Sequence, residues 1–386
     1  MAGLVVKPRA RIFHGHDWVY ASEITKVFGD PAPGEVVSLK DFRDRPLGSA
    51  IFNPNSQIVA RRISRRRQDL DADFFQRRIG RAAEFRERLP VDSALCRVVW
   101  SESDGLPGLV VDRYGAHLVV QFLTLAMHQR REMIRDVLVD LLSPASITLR
   151  NDAPMLKAEG LDPEIALLHG EAPGTVEVEA AGVVFLVDPL DGQKTGLYLD
   201  QLDNHAAVAS LAPGRRVLDC FCNQGGFALA CAKAGAASVV AVDSSPVACE
   251  TARANARRNG VDIEVVEANA FDFLRQATPD YDLIVLDPPS FTRNKKSLSG
   301  ALRGYKEIHL RSLKLLGKGG ILSTYCCSHH ATREIFRDNL LSAAIDAKST
   351  LRLVAEHRQR PDHPVLLGIP ETEYLKGLTA ELVPSW

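Results

Sequence analysis

A chain of 386 residues is too long for one hydrophobic core and points to two or three domains. Hydrophobic residues at 46% and charged residues at 25% are ordinary for a globular protein. No apolar run reaches the roughly 18–20 residues of a membrane span, which excludes helical membrane insertion. The N-terminus lacks the basic-then-apolar layout of a secretory signal, and the odd count of 7 cysteines argues against a disulfide framework, so a cytoplasmic protein is expected. The net charge of −1 hides an asymmetry: residues 1–88 hold 17 Lys and Arg against 11 Asp and Glu, a surplus of +6 that leaves −7 for the rest.

Residues 1–72 carry short alternating runs broken by turn signals, with strands expected near residues 34–39, 47–52 and 58–63. That spacing predicts a small β-barrel. Its arginines cluster at Arg61, Arg62, Arg65, Arg66 and Arg67, with Arg77, Arg78 and Arg81 beyond. Such a basic module suits polyanion binding through phosphates, while a solvated face balanced by Asp69, Asp71 and Asp73 is the plain alternative; charge alone leaves both open.

Residues 73–173 read as a central α+β domain. A helix is expected from Asp73 to about Leu89, with Phe74, Ile79, Ala82 and Phe85 inward. Strands follow at residues 96–100, 109–113 and 118–122, the last two joined as a hairpin by Asp112-Arg-Tyr-Gly115. A helix near residues 127–142 and a strand near 146–150 complete the domain.

From residue 174 a hairpin (176–179 with 183–187) leads into regular alternation of strand and helix. Strands are expected at residues 216–219, 238–242, 263–266, 283–286 and 321–324, and helices at 226–234, 245–259, 270–277 and 305–316. Strands alternating with crossover helices define an α/β, doubly wound parallel sheet, whose carboxyl edge is where ligands bind.

The motifs sit at that edge. Asp219 ends the first strand, and the turn Cys222-Asn223-Gln224-Gly225-Gly226 brings backbone close to a ligand, although neither G-x-G-x-x-G nor a P-loop is present. Asp243 ends the second strand, where a carboxylate can receive both ribose hydroxyls; an N-cap role is the alternative, which Ser245-Pro246 can fill instead. Asn269 after the third strand can hold an adenine edge. An adenosyl ligand without a diphosphate follows, so S-adenosylmethionine is expected rather than NAD. Asp287-Pro288-Pro289-Ser290-Phe291 after the fourth strand is a rigid turn suited to holding a planar base against Phe291 or the proline faces. Arg293, Lys295, Lys296 and Arg303 follow it as phosphate contacts or as a solvated charge run.

Cys220, Cys222, Cys231 and Cys249 lie in strand or helix patterns, where cysteine packs as a small apolar residue. Cys326 and Cys327 differ: they are expected in a loop beyond the fifth strand, followed by Ser328, His329 and His330. Either thiol can be the nucleophile, with a histidine lowering its pKa. A zinc site is the weaker rival, since adjacent cysteines with no C-x-x-C partner seldom share a metal, and no metal is expected.

These segments give the chain a resemblance to the bacterial RlmI-type large-subunit ribosomal RNA 5-methylcytosine methyltransferases, across nearly its whole length. It rests on Gly15-His-Asp-Trp-Val19, Asn53-Pro-Asn-Ser-Gln-Ile58, the run Glu102 to Gly115, Gln193 to Gln201, the glycine turn, Asp287-Pro-Pro-Ser-Phe291 and Cys327-Ser-His-His330. The resemblance implies a PUA domain for RNA at residues 1–72, a central α+β domain, and a class I methyltransferase domain at 174–386. It also implies a homodimer, with ribosomal RNA as partner and no membrane. Its cofactor positions map onto Asp200, Gln201, Asp219, the turn Cys222, Asn223, Gly225 and Gly226, Asp243, Asn269 and Asp287; its nucleophile maps onto Cys327. In one respect this chain departs from the family, which commonly has a serine between two cysteines where this sequence reads Tyr325-Cys326-Cys327.

The implied chemistry explains the residue types. Cytosine C5 becomes nucleophilic once a thiolate adds at C6, and Asp287 at N3 would stabilise the adduct. The base must leave its stack to reach such a site. Methylation of an exocyclic amine such as guanine N2, which needs no thiol, and a non-catalytic RNA-binding assembly factor are the alternatives.

Overall fold

The computed structural model describes residues 2–153, 156–190, 196–292 and 297–383. They form two compact units: Met1–Val178, Val187–Leu199 and Pro361–Thr372 in the first, and Glu179–Leu186, Asp200–Arg360 and Glu373–Trp386 in the second.

In the first unit the alternating N-terminal runs build a six-stranded sheet. Its order is Trp18–Val19, Ala60–Ser64, Pro46–Phe52, Val36–Lys40, Gly3–Val6 and Ile24–Phe28. Alternation buries one face, placing Leu4, Val6, Val19 and Leu39 in the core. The three strands that sequence patterning did not indicate are Gly3–Val6, Trp18–Val19 and Ile24–Phe28; the first two are too short to carry a periodic signal, and the third is an edge strand with an exposed middle.

The same unit holds a five-stranded sheet ordered Glu164–Gly170, Ser146–Asn151, His117–Phe122, Leu109–Tyr114 and Leu95–Trp100. The expected hairpin closes with Tyr114 opposite His117. The helix Ala72–Glu87 starts at Asp71, whose carboxylate accepts from the Phe74 amide, and it lays Phe74, Phe75 and Ile79 into the sheet core with Val111, Leu118 and Ile147. The helix anticipated at 127–142 is two, Leu125–His128 and Arg131–Leu142.

Arg86, 1% exposed, ties this core together. Its guanidinium binds Asp104 at 2.6 Å, the Arg97 carbonyl at 2.8 Å and the Asp362 carbonyl at 2.8 Å. Arg86→Ala strands Asp104 and the two carbonyls in a dry interior. It is expected to cost about 3–5 kcal/mol, read as a lowered denaturation midpoint in urea.

In the second unit the strands are β1 (Arg216–Cys220), β2 (Ser238–Asp243), β3 (Glu264–Glu267), β4 (Tyr281–Leu286), β5 (Leu316–Cys326), β6 (Thr350–Arg358) and β7 (Lys376–Val383). The sheet order is β3-β2-β1-β4-β5-β7-β6. The first five are mutually parallel, and β7 runs antiparallel to both neighbours. Helices α1 (Leu202–Ala209), α2 (Gly226–Lys233), α3 (Pro246–Asn259), α4 (Ala270–Gln276), α5 (Leu298–Leu315) and α6 (Arg333–Asp346) complete it. Leu283 to Leu286 are all fully buried, the continuous apolar run of a strand covered on both faces. Asn255 and Asn259 of α3 receive the backbone amides of Leu186 and Val184 from the expected hairpin, at 3.2 Å and 2.8 Å.

Sequence patterning did not indicate β6, β7, α1 or α6. It also stopped β5 at residue 324. The strand runs on to Cys326, because β7 pairs with it as far as Cys326 opposite Lys376. Cys326 is therefore a strand residue, not a loop residue, and only Cys327 lies beyond the strand.

Candidate active site

Register brings the strand ends together. Cys220 sits beside Val242 on one side and Leu286 on the other, and Leu286 sits beside Thr324. The residues that follow, the glycine turn, Asp243, Asp287 and Cys327, therefore gather at one carboxyl edge, at the point where strand order reverses about β1.

The turn after β1 is strained. Phe221 and Asn223 both hold positive φ (65° and 49°), and Gly225 at φ 85° is the N-cap of α2. Asp243 pins it: one carboxylate oxygen accepts from the Asn223 amide at 3.0 Å and the other from the Ser245 amide at 2.9 Å. Ser245 itself caps α3 and Pro246 starts it, so the N-cap role does not fall to Asp243. Gly226 lies against His205: a Cβ there would come within 2.4 Å of the ring. Burial pushes the His205 pKa down to about 4, leaving it a neutral packing group.

Asp219 is fully buried. One carboxylate oxygen accepts from the Ala228 amide at 3.0 Å, and the other has no hydrogen-bond partner among the described residues. Burial raises its pKa well above the carboxylate range, and the nearby Asp287 and Asp243 raise it further. Gln201 joins the group, donating to Asp287 at 3.0 Å and accepting from Asn204 at 2.6 Å. Asp200 accepts from the Tyr374 hydroxyl at 2.6 Å. Asn269 is an exposed N-cap of α4 that accepts from the Phe271 and Asp272 amides, so its side-chain oxygen is already engaged.

The base-holding turn divides. Pro288 is buried and Pro289 exposed. Phe291 packs into an aromatic cluster, 4.7 Å from the Tyr305 ring and 5.7 Å from Phe271. This packing ties up the ring that sequence reasoning offered as a base platform. Arg303 is exposed on α5, whereas Arg293, Lys295 and Lys296 lie outside the described residues.

The two consecutive thiols, one ending β5 and one just past it, pack into opposite layers. Cys326 is fully buried in the α5 and α6 layer with Ile308 and Phe336; Cys327 is half-buried against the layer holding Tyr325 and Phe227. The Tyr305 hydroxyl is buried, and burial first, then Cys326, Cys327 and Asp287, drive its pKa up. Both histidines after the thiols, His329 and His330, are exposed. The cation beside the thiols is one the sequence did not single out. Lys376 at the start of β7 is 5% exposed, and its ammonium donates to the Ser328 carbonyl at 2.6 Å and the Tyr374 carbonyl at 3.1 Å. Burial lowers its pKa; Cys326, Glu373 and Cys327 pull it up and Arg333 pulls it down. The only sequence signal was a lysine opening an otherwise apolar run, Lys376-Gly-Leu-Thr-Ala.

A parallel sheet reversing about β1, a strained glycine turn, an acid ending β2 and a final antiparallel β7 define the catalytic domain of a class I methyltransferase. Residues 109–378 match the model of the S-adenosylmethionine-dependent methyltransferase family, and residues 5–65 match a PUA-like domain. Ribosomal RNA large subunit methyltransferase I of Shewanella denitrificans is 42% identical over 95% of both chains, and that of Erwinia tasmaniensis 36% identical over 95% of this chain and 96% of its own. Among solved structures, an S-adenosylmethionine-dependent methyltransferase from Streptococcus mutans superposes with a TM-score of 0.84 at 21% identity, covering 99% of this chain and 100% of that one. SMU.776, solved with SAH, gives 0.85 at 22% identity over 99% and 100%. The chain belongs to the S-adenosylmethionine-dependent methyltransferases.

The residues fit that cofactor. A buried carboxylate with an unsatisfied oxygen, crowded by two more carboxylates, favours a cationic ligand, and Asp243 suits a ribose diol. When bound, S-adenosylmethionine supplies an electrophilic methyl group. Asp219→Asn is expected to weaken cofactor binding about tenfold or more in calorimetry. It should also stabilise the cofactor-free protein. Because the folded-state pKa lies above the unfolded one, wild-type stability falls as pH rises from the unfolded value toward the folded one. The variant should lose that decline in melts across acid to neutral pH.

Proposed function

We propose that this chain forms 5-methylcytosine in large-subunit ribosomal RNA, with Cys327 as nucleophile. The observation that carries the reading is strand register: Asp287 and Cys327 directly follow the neighbouring parallel strands β4 and β5, whose ends lie side by side with Leu286 beside Thr324. A thiol and a base-orienting carboxylate thus share one neighbourhood beside the cofactor turn. The relatives named for ribosomal RNA large subunit methylation support the substrate class.

In this reading the ionised Cys327 sulfur bonds to C6 of an unstacked cytosine, and the electron pair of the C5–C6 double bond is delivered to C5. Asp287 binds at N3 and steadies the charge that develops on the ring. C5 then takes the methyl group, a base removes the C5 proton, and the C6–S bond breaks to restore the thiolate. Asp200, Gln201, Asp219, Cys222, Asn223, Gly225, Gly226, Asp243 and Asn269 hold the methyl donor; Pro288, Pro289 and the basic residues beyond hold the RNA, with Phe291 backing them from the cluster. Residues 1–72 serve as the RNA-binding module, 73–173 as the central domain and 174–386 as the catalytic domain, and the protein acts as a homodimer in the cytoplasm.

Incubating the purified protein with isotopically labelled S-adenosylmethionine and unmodified large-subunit rRNA, followed by nucleoside mass spectrometry, tests this. Label in 5-methylcytidine is expected. Label on an exocyclic amine, or cofactor binding with no transfer, would overturn it.

A further inference from the structure

The arginine cluster of the N-terminal region separates into paired and unpaired side chains. Arg61 binds Glu159 at 2.9 Å and Glu102 at 3.5 Å, Arg62 binds Asp17 at 2.6 Å, and Arg77 pairs with Asp73. These are satisfied ion pairs. Among the described residues, Arg65 and Arg78 have no carboxylate partner within salt-bridge distance.

Both line a pocket of about 190 Å³ with Arg61, Arg62, Asp17, Glu102 and Gly105. Asp17 and Glu102 are already taken by Arg62 and Arg61, so the pocket keeps the positive charge of the other two arginines. Arg78 is held in place rather than left to sample solvent. It donates to the Ile63 carbonyl at 3.1 Å, and its guanidinium carbon lies 5.4 Å from the Phe74 ring centre. On the third side stands Gly105, at φ +69°, where a Cβ would come within 2.3 Å of the Arg78 Nη1. The positive φ favours glycine there, and a Cβ would push the Arg78 guanidinium aside. Burial and the neighbouring cations Arg81 and Arg77 push Arg78 below the usual arginine range, with Asp17 opposing them. A partly desolvated guanidinium crowded by other cations is unfavourable on its own and is relieved by an anion.

The geometry points to this pocket as a phosphodiester-binding subsite for an RNA strand, with Arg65 and Arg78 as the guanidiniums that grip it. Its volume is below the range of whole-ligand pockets and suits a phosphate group. Exposed Arg66 and Arg67 continue from Arg65, and exposed Arg81 continues from Arg78. Such a track of cations matches a repeating phosphate backbone better than a lone anion. The inference rests on the RNA reading proposed above.

The test measures binding of a fluorescently labelled large-subunit rRNA fragment to the full chain across a salt series. The double variant Arg65→Ala/Arg78→Ala should bind about tenfold more weakly near 0.1 M salt, with the slope of log affinity against log salt shallower by about 1.5. A control that removes the same charge elsewhere, Arg135→Ala/Arg257→Ala, should stay near wild type. Thermal melting and cofactor binding check the fold, and Arg65→Ala alone, an exposed substitution, serves if the double variant unfolds. Unchanged RNA binding in a folded variant, or an equal loss in the control, overturns the subsite. So does inorganic phosphate binding that is lost in the variant while RNA binding is kept. Wild type that methylates its substrate without measurable affinity for RNA would overturn the RNA reading, and the subsite with it.

Discussion

Cys327→Ala is expected to lower methyl transfer by about 10³-fold or more while leaving S-adenosylmethionine affinity unchanged. In the proposed mechanism the thiol serves only addition at C6, and it lies beyond the end of β5, where half-exposure lets a substrate atom reach it. The residues proposed to hold the donor lie at the ends of β1, β2 and β3 and just before α1, so removing one sulfur leaves them intact. Cys326→Ala should behave differently. Cys326 is fully buried in the cluster that holds Ile308 and Phe336, and its loss creates a small void with an expected stability cost of about 1 kcal/mol. Single-turnover transfer of a labelled methyl group, measured beside cofactor calorimetry, separates the two. Retained transfer in Cys327→Ala together with abolished transfer in a folded Cys326→Ala would reverse the assignment.

How much of this site was legible in the sequence depended on strand type. The five parallel strands appear as short apolar runs, continuous and deeply buried in β1 and β4, so Asp219, Asp243 and Asp287 could be placed at carboxyl ends from the residues alone. β6 and β7 could not. β6 is an edge strand with Arg352 and Glu356 outward, which breaks the apolar signal, and β7 opens on a lysine. Their absence from the sequence reading also set the end of β5 two residues early. It thereby put Cys326 in a loop that does not exist. Phe291 shows the same limit: its local sequence suggested an open base platform, but its partners Phe271 and Tyr305 come from two other helices. The paired state of the N-terminal arginines was equally hidden, since Arg61 finds Glu159 far along the chain.

Lys376 is the clearest case of a residue that pairing alone makes visible, and it carries the second large expectation. Antiparallel register sets it opposite Cys326, and its ammonium grips the carbonyl of Ser328, the residue directly after Cys327. Those two bonds use part of a group with three N–H donors, and Cys326 and Cys327 are near enough to raise its pKa against the effect of burial. The charged groups around it are Glu373 and Arg333, together with the two thiols. A cation in that position favours the thiolate over the thiol. Lys376→Gln should therefore move the alkaline-rising limb of the pH–rate profile up by roughly one unit, with about tenfold less activity at neutral pH and partial recovery as pH rises. Removing the cation raises the pH at which the thiol ionises, which gives the direction of the shift. A role confined to fastening the Ser328 turn would lower activity equally at every pH. Lys376→Arg, which keeps the charge in a larger head group, should hold the profile near its wild-type position even where overall turnover drops. A flat loss across pH in Lys376→Gln would leave the turn contact as its whole contribution.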